Sequence, residues 1–145
     1  MNSKYFNMSE LFFMKNTSRF IVIDNDPISN ALCKIMINNV LGEIEVRTFT
    51  LPEKGFKYIS SEHAKYDSGF CSIILLDLNM PSMTGWKFLK LFESLDQKIK
   101  DKFKIYIHSS SADPQDKLRA KSNKNVVDYI VKPLTEEIVR SLSVK

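Results

Sequence analysis

The chain has 145 residues, of which 43% are hydrophobic and 26% charged, and its formal net charge at pH 7 is +4. These values are typical of one globular domain with a buried core, and no apolar run is long enough to span a membrane. The N-terminal stretch lacks the long apolar segment and the small-residue cleavage site of a signal peptide. We therefore expect a cytoplasmic protein without a membrane partner, in which residues 1–17 form a weakly ordered extension and residues 18–145 form the domain.

The cysteines and lysines exclude further classes of function. Cys33 and Cys71 are too few for a disulfide framework and lack the spacing of metal ligands, so we expect reduced thiols in the core. Lysines gather at 98–104 and 117–124, but without the interleaved aromatic residues or the recognition-helix pattern of a nucleic-acid-binding surface. We interpret these lysines as a solvated basic face and expect no direct nucleic-acid partner.

Strand and helix patterns alternate along the chain. Apolar or alternating runs predict strands at 19–24, 43–49, 70–77, 103–108 and 126–131. Helical spacing of apolar residues and helix-capping residues predict helices at 27–41, 52–65, 84–95, 114–121 and 134–142. The polar stretch 96–102 is predicted as a loop. Strands that alternate with helices imply parallel pairing and right-handed crossovers, so the predicted fold class is α/β, a layered sandwich of five βα units.

The first predicted helix has a clear start. Asp26 suits the N-cap position, and Pro27 suits the first helical position because proline has no N–H to satisfy there. Gly42 is a suitable stop. An apolar set with helical spacing predicts an amphipathic helix, and its members are Ile28, Ala31, Leu32, Ile35, Met36 and Ile37.

Polar residues follow the predicted strands at the points where they end. They are Asp24 with Asn25 and Asp26, Asp77 with Asn79, then Ser109, and then Lys132. In a parallel sheet the carboxyl ends of all strands lie at one edge, where ligands bind, so these side chains should converge. Acids, a hydroxyl and a lysine suit a hard cation and a phosphoryl group. The apolar run before Asp77 predicts a central strand, and Asp77 is the acid at its end.

Four segments at these strand ends resemble the response-regulator receiver domain of two-component signalling. The segments are 20–27, 76–85, 107–110 and 129–133, and the resemblance covers roughly residues 18–143. The resemblance implies a flavodoxin-like, three-layer sandwich with a five-stranded parallel sheet in the order 2-1-3-4-5. It also implies a stand-alone phosphoprotein of a phosphorelay, with its output through protein contact.

The resemblance also assigns roles to the acids. Asp77 is expected to accept a phosphoryl group from a phosphohistidine on a sensor histidine kinase or a histidine phosphotransfer protein. Asp24, Asn25, Asp77 and the main-chain carbonyl of Asn79 are expected to hold Mg²⁺ or Mn²⁺. The family usually has a second acid where this chain has Asn25, so we expect weaker metal binding. Asp26 could compensate, although we interpret it as the N-cap.

The remaining roles concern the switch. Lys132 is expected to pair with Asp77 at rest and with a phosphoryl oxygen afterwards, and the bond from Lys132 to Pro133 is usually cis in the family. Ser109 is expected to bond the phosphoryl group while Tyr129 changes rotamer. These movements would alter a protein-interaction surface made by the fourth predicted helix, the fifth strand and the fifth helix. Asn79 and Ser111 occupy the positions that tune the phosphoryl lifetime.

Two alternatives remain open from the sequence. A pseudo-receiver would lack phosphorylation because of Asn25 and would bind proteins constitutively. An unrelated Mg²⁺-dependent phosphatase would need a second acid two residues after Asp77, where this chain has Asn79. We expect no enzyme activity beyond self-catalysed phosphorylation and dephosphorylation, and a monomer or weak homodimer that contacts an unknown downstream protein. His108 is interpreted as a structural residue whose polar groups are satisfied, and His63 as a structural or solvent-facing residue.

Overall fold

The computed structural model describes residues 17–62 and 71–142. The predicted extension up to residue 16, His63 and the end of the second predicted helix lie outside the described residues. The strands are β1 (Thr17–Ile23), β2 (Glu45–Phe49), β3 (Cys71–Leu76), β4 (Phe103–Ser109) and β5 (Val126–Val131). The helices are α1 (Pro27–Leu41), α2 (Pro52–Glu62), α3 (Gly85–Glu93), α4 (Gln97–Lys100), α5 (Pro114–Lys121) and α6 (Glu136–Leu142).

The five strands form one parallel sheet in the order β2-β1-β3-β4-β5. Residues of β1, β3 and β4 are buried on both faces of the sheet, which explains why their apolar runs do not alternate. One face packs on α2, α3, α4 and α5, and the other packs on α1 and α6. The predicted α/β sandwich and its strand order are therefore confirmed.

The sheet register brings the strand ends together. Ile23 at the end of β1 is level with Leu76 at the end of β3, and Ser109 is level with Val131. Main-chain hydrogen bonds continue past the strands: the Asp77 N–H donates to the Ile23 carbonyl at 2.9 Å, and the Lys132 N–H donates to the Ser109 carbonyl at 2.8 Å. Because these bonds extend the ladders, the polar residues after each strand sit on rigid backbone.

The predicted loop at 96–102 is wrong, because it contains the short helix α4. Ile99 is the buried residue of this helix, so a single apolar anchor in a polar stretch was too weak a pattern to reveal it. Lys100 also departs from the predicted solvated basic face. Its side chain is 10% exposed, and its Nζ lies 2.9 Å from a carboxylate oxygen of Glu93.

Helix α1 buries a different face from the one that its apolar spacing predicts. Ile28, Leu32 and Ile35 of the predicted apolar set are 70%, 59% and 56% exposed. The buried residues of the helix are Asn30, Cys33, Ile37 and Val40. The helix is apolar around most of its circumference, so spacing alone could not identify the face toward the sheet. The start of the helix is as predicted, since the Asp26 carboxylate accepts a hydrogen bond from the N–H of Ile28.

A buried arginine lies at the opposite edge of the sheet, at the start of the strands. Arg19 is 1% exposed, and its Nε donates to the Ser72 hydroxyl at 3.1 Å. Its guanidinium also lies 4.8 Å from the centre of the Tyr58 ring and donates to the Tyr58 hydroxyl. The pattern of an apolar strand gave no sign of this polar cluster.

Gly85 allows α3 to begin directly against the loop that carries Asp77. A Cβ atom at Gly85 would lie 2.4 Å from the main-chain oxygen of Asp77, which is too close for any side chain. Thr84 caps the helix, since its hydroxyl accepts a hydrogen bond from the N–H of Lys87. The start of α3 therefore fixes the backbone that presents Asp77.

Two further expectations concern the thiols and membranes. Neither Cys33, which is buried, nor Cys71, which is partly exposed, forms a disulfide bond within the described residues. Within the part of the chain that the structure describes, no helix has the length and apolar character needed to cross a membrane.

Candidate functional site

Asp24, Asp77 and Lys132 meet at the carboxyl edge of the sheet. The Lys132 Nζ lies 2.6 Å from Asp24 Oδ2 and 3.7 Å from Asp77 Oδ2. Both carboxylates are almost completely buried, whereas the side chain of Lys132 is 21% exposed. Lys132 is thus in contact with acids that lie 55 and 108 positions before it in the sequence, as the strand-end pattern predicts.

The two acids have different environments. Burial alone would raise the pKa of Asp24, but hydrogen bonds from Lys132 and from the N–H of Asp26 bring it below the ordinary value. The pKa of Asp77 is raised, first by burial and then by the negative charge of Asp24. Lys132 offsets this rise only in part. Asp77 is consequently the less stabilised carboxylate of the pair.

Lys132 takes a closer partner than the resemblance implies. The expected pairing at rest was with Asp77, but the hydrogen-bonded partner is Asp24, and Asp77 lies beyond hydrogen-bond distance. Burial would lower the pKa of Lys132, but its bond to Asp24 and the charge of Asp77 raise it above the ordinary value. The peptide bond from Lys132 to Pro133 is cis, as expected.

Ser109, Ser111 and Tyr129 form a connected group beside the acids. Ser109 is fully buried at the end of β4, and its Oγ accepts a hydrogen bond from the Ser111 N–H at 3.2 Å. The Tyr129 hydroxyl donates to the main-chain oxygen of Ser111 at 2.7 Å. The predicted switch residues are therefore linked through the backbone of Ser111.

The oxygen atoms at this edge suit a hard divalent cation. Asp24 and Asp77 provide two buried carboxylates. Mg²⁺ in proteins is commonly bound by one or two carboxylates and keeps several water ligands. Asn25 directly follows Asp24 and Asn79 lies two residues after Asp77, and both residues are exposed. Among the described residues, no group of three or more acidic, histidine or cysteine side chains forms a denser cluster. The donor set fits Mg²⁺, with one carboxylate fewer than an acid at position 25 would give.

Comparison with protein families decides the class of this domain. A model of the response regulator receiver domain matches residues 20–142 of the chain. The chain belongs to the response regulator receiver domain family. Proteins of this family act in two-component signalling.

Several known proteins are similar to this receiver domain. A two-component response regulator from Cytophaga hutchinsonii is 30% identical with a TM-score of 0.75, and the alignment covers 86% of this chain and 92% of that one. A chain in the CheX-CheY-BeF3-Mg²⁺ complex from Borrelia burgdorferi is 19% identical with a TM-score of 0.68, and 87% of each chain is covered. The two-component response regulator ORR1 of Oryza sativa subsp. japonica is 22% identical over 130 residues, or 88% of this chain. The chain spans 54% of the length of that curated relative.

His108 is a buried neighbour of the receiver site whose surroundings the sequence did not reveal. It is 3% exposed, and its Nδ1 lies 3.8 Å from the Cys33 Sγ. Burial and the positive charge of Lys132 lower the pKa of His108 to about 4, although the charge of Asp24 acts in the opposite direction. The imidazole is therefore neutral at pH 7, and its buried Nε2 has no hydrogen-bond partner among the described residues.

The buried histidine predicts a specific acid sensitivity. An unfolded chain binds a proton at His108 near pH 6.5, but the folded chain does so only near pH 4, so folding stability should fall as the pH decreases through this window. The loss should reach about 2 kcal/mol at pH 5. Urea unfolding at pH 7 and pH 5 measures it, and His108→Val should remove this part of the pH dependence. An equal pH dependence in the variant and the unaltered chain would contradict the assignment.

Proposed function

We propose that this receiver domain accepts a phosphoryl group on Asp77 from a phosphohistidine of a sensor kinase or phosphotransfer protein, with Mg²⁺ as the metal. The observation that carries the proposal is the unequal pairing of the two acids. The Lys132 Nζ lies 2.6 Å from Asp24 Oδ2 but 3.7 Å from Asp77 Oδ2. The carboxylate with the weaker pairing is the one with the higher pKa, and it is the better nucleophile.

The transfer needs only residues that the site already brings together. An Asp77 oxygen attacks the phosphorus atom, the bond from phosphorus to the donor imidazole nitrogen breaks, and that nitrogen keeps the electron pair. Lys132 and the Ser109 hydroxyl donate hydrogen bonds to phosphoryl oxygens and offset their charge. When bound, Mg²⁺ supplies further charge neutralisation. Water later attacks the phosphorus atom slowly, the bond to the Asp77 oxygen breaks and inorganic phosphate leaves, which is the self-catalysed dephosphorylation.

The metal proposal rests on Asp24 and Asp77, with the side chain of Asn25 and the main-chain oxygen of Asn79 as further ligands. The similar CheY chain from Borrelia burgdorferi is in a complex with BeF3 and Mg²⁺. An amide at position 25 offers an oxygen without a full charge, so it attracts a divalent cation less strongly than a carboxylate does. Asp26 is less suited to replace it, since Oδ1 of its carboxylate already caps α1.

The proposed output surface comprises α5, β5 and α6. Tyr129 lies in β5, and its hydroxyl is bonded to the loop that leads into α5. A phosphoryl group adds about −1.5 to −2 of charge next to Lys132 and Ser109, by analogy with other phosphorylated side chains. The attraction of Lys132 and Ser109 to this negative charge shifts the positions of the loop and of Tyr129. In this way a local charge changes a protein-binding surface.

The exposed face of α1 is the proposed docking surface for the phosphodonor. Asp77 is 6% exposed, and the exposed residues Asn25 and Asp26 lead from this edge of the sheet into α1. Ile28, Leu32 and Ile35 form an exposed apolar stripe that starts near this edge. Continuous apolar surface of this kind is typical of a protein interface, and a helical donor surface could bury it.

The pseudo-receiver alternative has one observation in its favour, the amide at position 25. The phosphatase alternative has weaker support, since the chain belongs to the receiver family and has Asn79 where that class of enzyme needs an acid.

Acetyl phosphate with Mg²⁺ should add one phosphoryl group to the chain, as measured by intact mass. Asp77→Asn should abolish the addition, because an amide is not a nucleophile for this transfer. Asp26→Asn is the matched control, since an amide can also cap α1, and it should be labelled like the unaltered chain. A chain that is never labelled in the presence of Mg²⁺ would refute the phosphoacceptor function and favour the pseudo-receiver.

Asn25→Asp should tighten Mg²⁺ binding about tenfold, because an added carboxylate contributes a full charge as a metal ligand. The Mg²⁺ concentration that gives half of the maximal phosphorylation rate measures this effect. Asn39→Asp, which changes the same residue type at an exposed position farther along α1, is the control and should not alter that concentration. An unchanged Mg²⁺ requirement in Asn25→Asp would show that the residue lies outside the metal site.

Leu32→Glu should slow phosphoryl transfer from a phosphorylated histidine phosphotransfer protein about tenfold or more, because it places a charge in the apolar interface. Its labelling by acetyl phosphate should be unchanged, since this small donor needs no docking surface. Leu118→Glu is the matched control, because Leu118 is 69% exposed on α5, on the other side of the sheet. Equal transfer rates in both variants would contradict docking on α1.

A further inference from the structure

Ser111 is the point at which the phosphoryl site, the start of α5 and the switch tyrosine are connected. Its N–H donates to the Ser109 Oγ at 3.2 Å, and its carbonyl oxygen accepts from the Tyr129 hydroxyl at 2.7 Å. Its hydroxyl donates to Asp116 Oδ2 at 2.7 Å and accepts from the N–H of Asp113 at 3.2 Å. All of its polar groups are thus engaged in directional contacts.

The contact with Asp116 gives this arrangement its rigidity. Asp116 lies in the first turn of α5, where a carboxylate is favoured by the partial positive charge of the helix N-terminus. A hydroxyl that donates to a charged carboxylate makes a short and strong hydrogen bond, in keeping with the 2.7 Å distance. The side chain of Ser111 is therefore tied to the helix, and it is not free to contact a phosphoryl group on Asp77.

The backbone of Ser111 in turn orients the Ser109 hydroxyl. The N–H of Ser111 occupies one lone pair of the Ser109 Oγ and leaves the hydroxyl hydrogen for an acceptor. A phosphoryl oxygen on Asp77 would be such an acceptor. Movement of Ser111 would therefore change the direction in which Ser109 can donate.

We propose that Asp116 is a positioning residue for phosphoryl transfer to Asp77, which it affects through Ser111 and Ser109. This inference rests on the proposed phosphoacceptor function. Asp116 contacts neither the acids nor the phosphoryl group. It holds the Ser111 side chain, so that the backbone of Ser111 keeps the Ser109 hydroxyl in place and presents its carbonyl oxygen to Tyr129.

A double-mutant cycle tests the route of the effect. The rate constant for labelling by acetyl phosphate is measured in the unaltered chain, Asp116→Ala, Ser109→Ala and the double variant. Asp116→Ala should lower the rate about threefold to tenfold, which is the size expected for one lost hydrogen bond. In the Ser109→Ala background the same change should have almost no effect, because its target hydroxyl is gone.

Two further variants separate positioning from a general loss of structure. Asp116→Asn keeps an oxygen that accepts from the Ser111 hydroxyl, so it should restore the rate to within twofold of the unaltered chain. Asp113→Ala removes the side-chain cap of α5 but leaves the contact between Asp116 and Ser111, and it should label normally. Urea unfolding of all variants should show that those with low rates are folded.

The outcomes distinguish this inference from the function on which it rests. Unaltered labelling in Asp116→Ala, or an equal decrease with and without Ser109, would overturn the positioning role alone. A decrease in Asp113→Ala as large as in Asp116→Ala would also overturn it, since the start of the helix would then be responsible. Failure of the unaltered chain to be labelled would overturn the proposed function and this inference together.

Discussion

The ion pair between Lys132 and Asp24 is the interaction on which the site depends. The sheet places two carboxylates at the ends of the neighbouring strands β1 and β3, where burial and mutual repulsion disfavour both charges. Lys132 reaches across from β5 and offsets this cost, with its Nζ 2.6 Å from Asp24 and 3.7 Å from Asp77. The parallel order of the strands is what allows a cation that is 108 positions away in the sequence to do so.

The preference of Lys132 for Asp24 gives the two acids separate roles. Asp24 gains the hydrogen bond and also accepts from the N–H of Asp26, so its charge is well compensated. Asp77 has its Oδ1 bonded to the N–H of Leu78, and Gly85 lies against its main-chain oxygen. The backbone around Asp77 is thus rigid while its charge is less compensated. This combination suits a nucleophile, because the carboxylate is held in position and its charge is still available to form a bond with phosphorus.

Much of this arrangement could be predicted, because parallel βα units bring every strand end to one edge. Asp24, Asp77, Ser109 and Lys132 could be grouped from the sequence for that reason alone. The buried face of α1 could not be predicted, since apolar residues surround that helix and only contact with the sheet selects Cys33 and its neighbours. The choice of Asp24 as the hydrogen-bonded partner of Lys132 depends on a difference of about one ångström between two distances, which no sequence pattern encodes. Hydrogen bonds such as that from Ser111 to Asp116 depend on side-chain rotamers in a loop, which leave no periodic signal.

Under the proposed function, the uncharged side chain of Asn25 would have opposite effects on the resting site and on the site that holds Mg²⁺. A carboxylate at this position would add a third negative charge beside Asp24 and Asp77, and Lys132 would have to offset it as well. The uncharged amide adds no such repulsion to the resting site. The Asp26 carboxylate is the N-cap of α1. The same amide offers a divalent cation less charge, and phosphoryl transfer depends on charge neutralisation. Under the proposed function, a receiver of this composition would therefore have less charge repulsion in its resting site, and its phosphorylation would depend more strongly on the concentration of Mg²⁺.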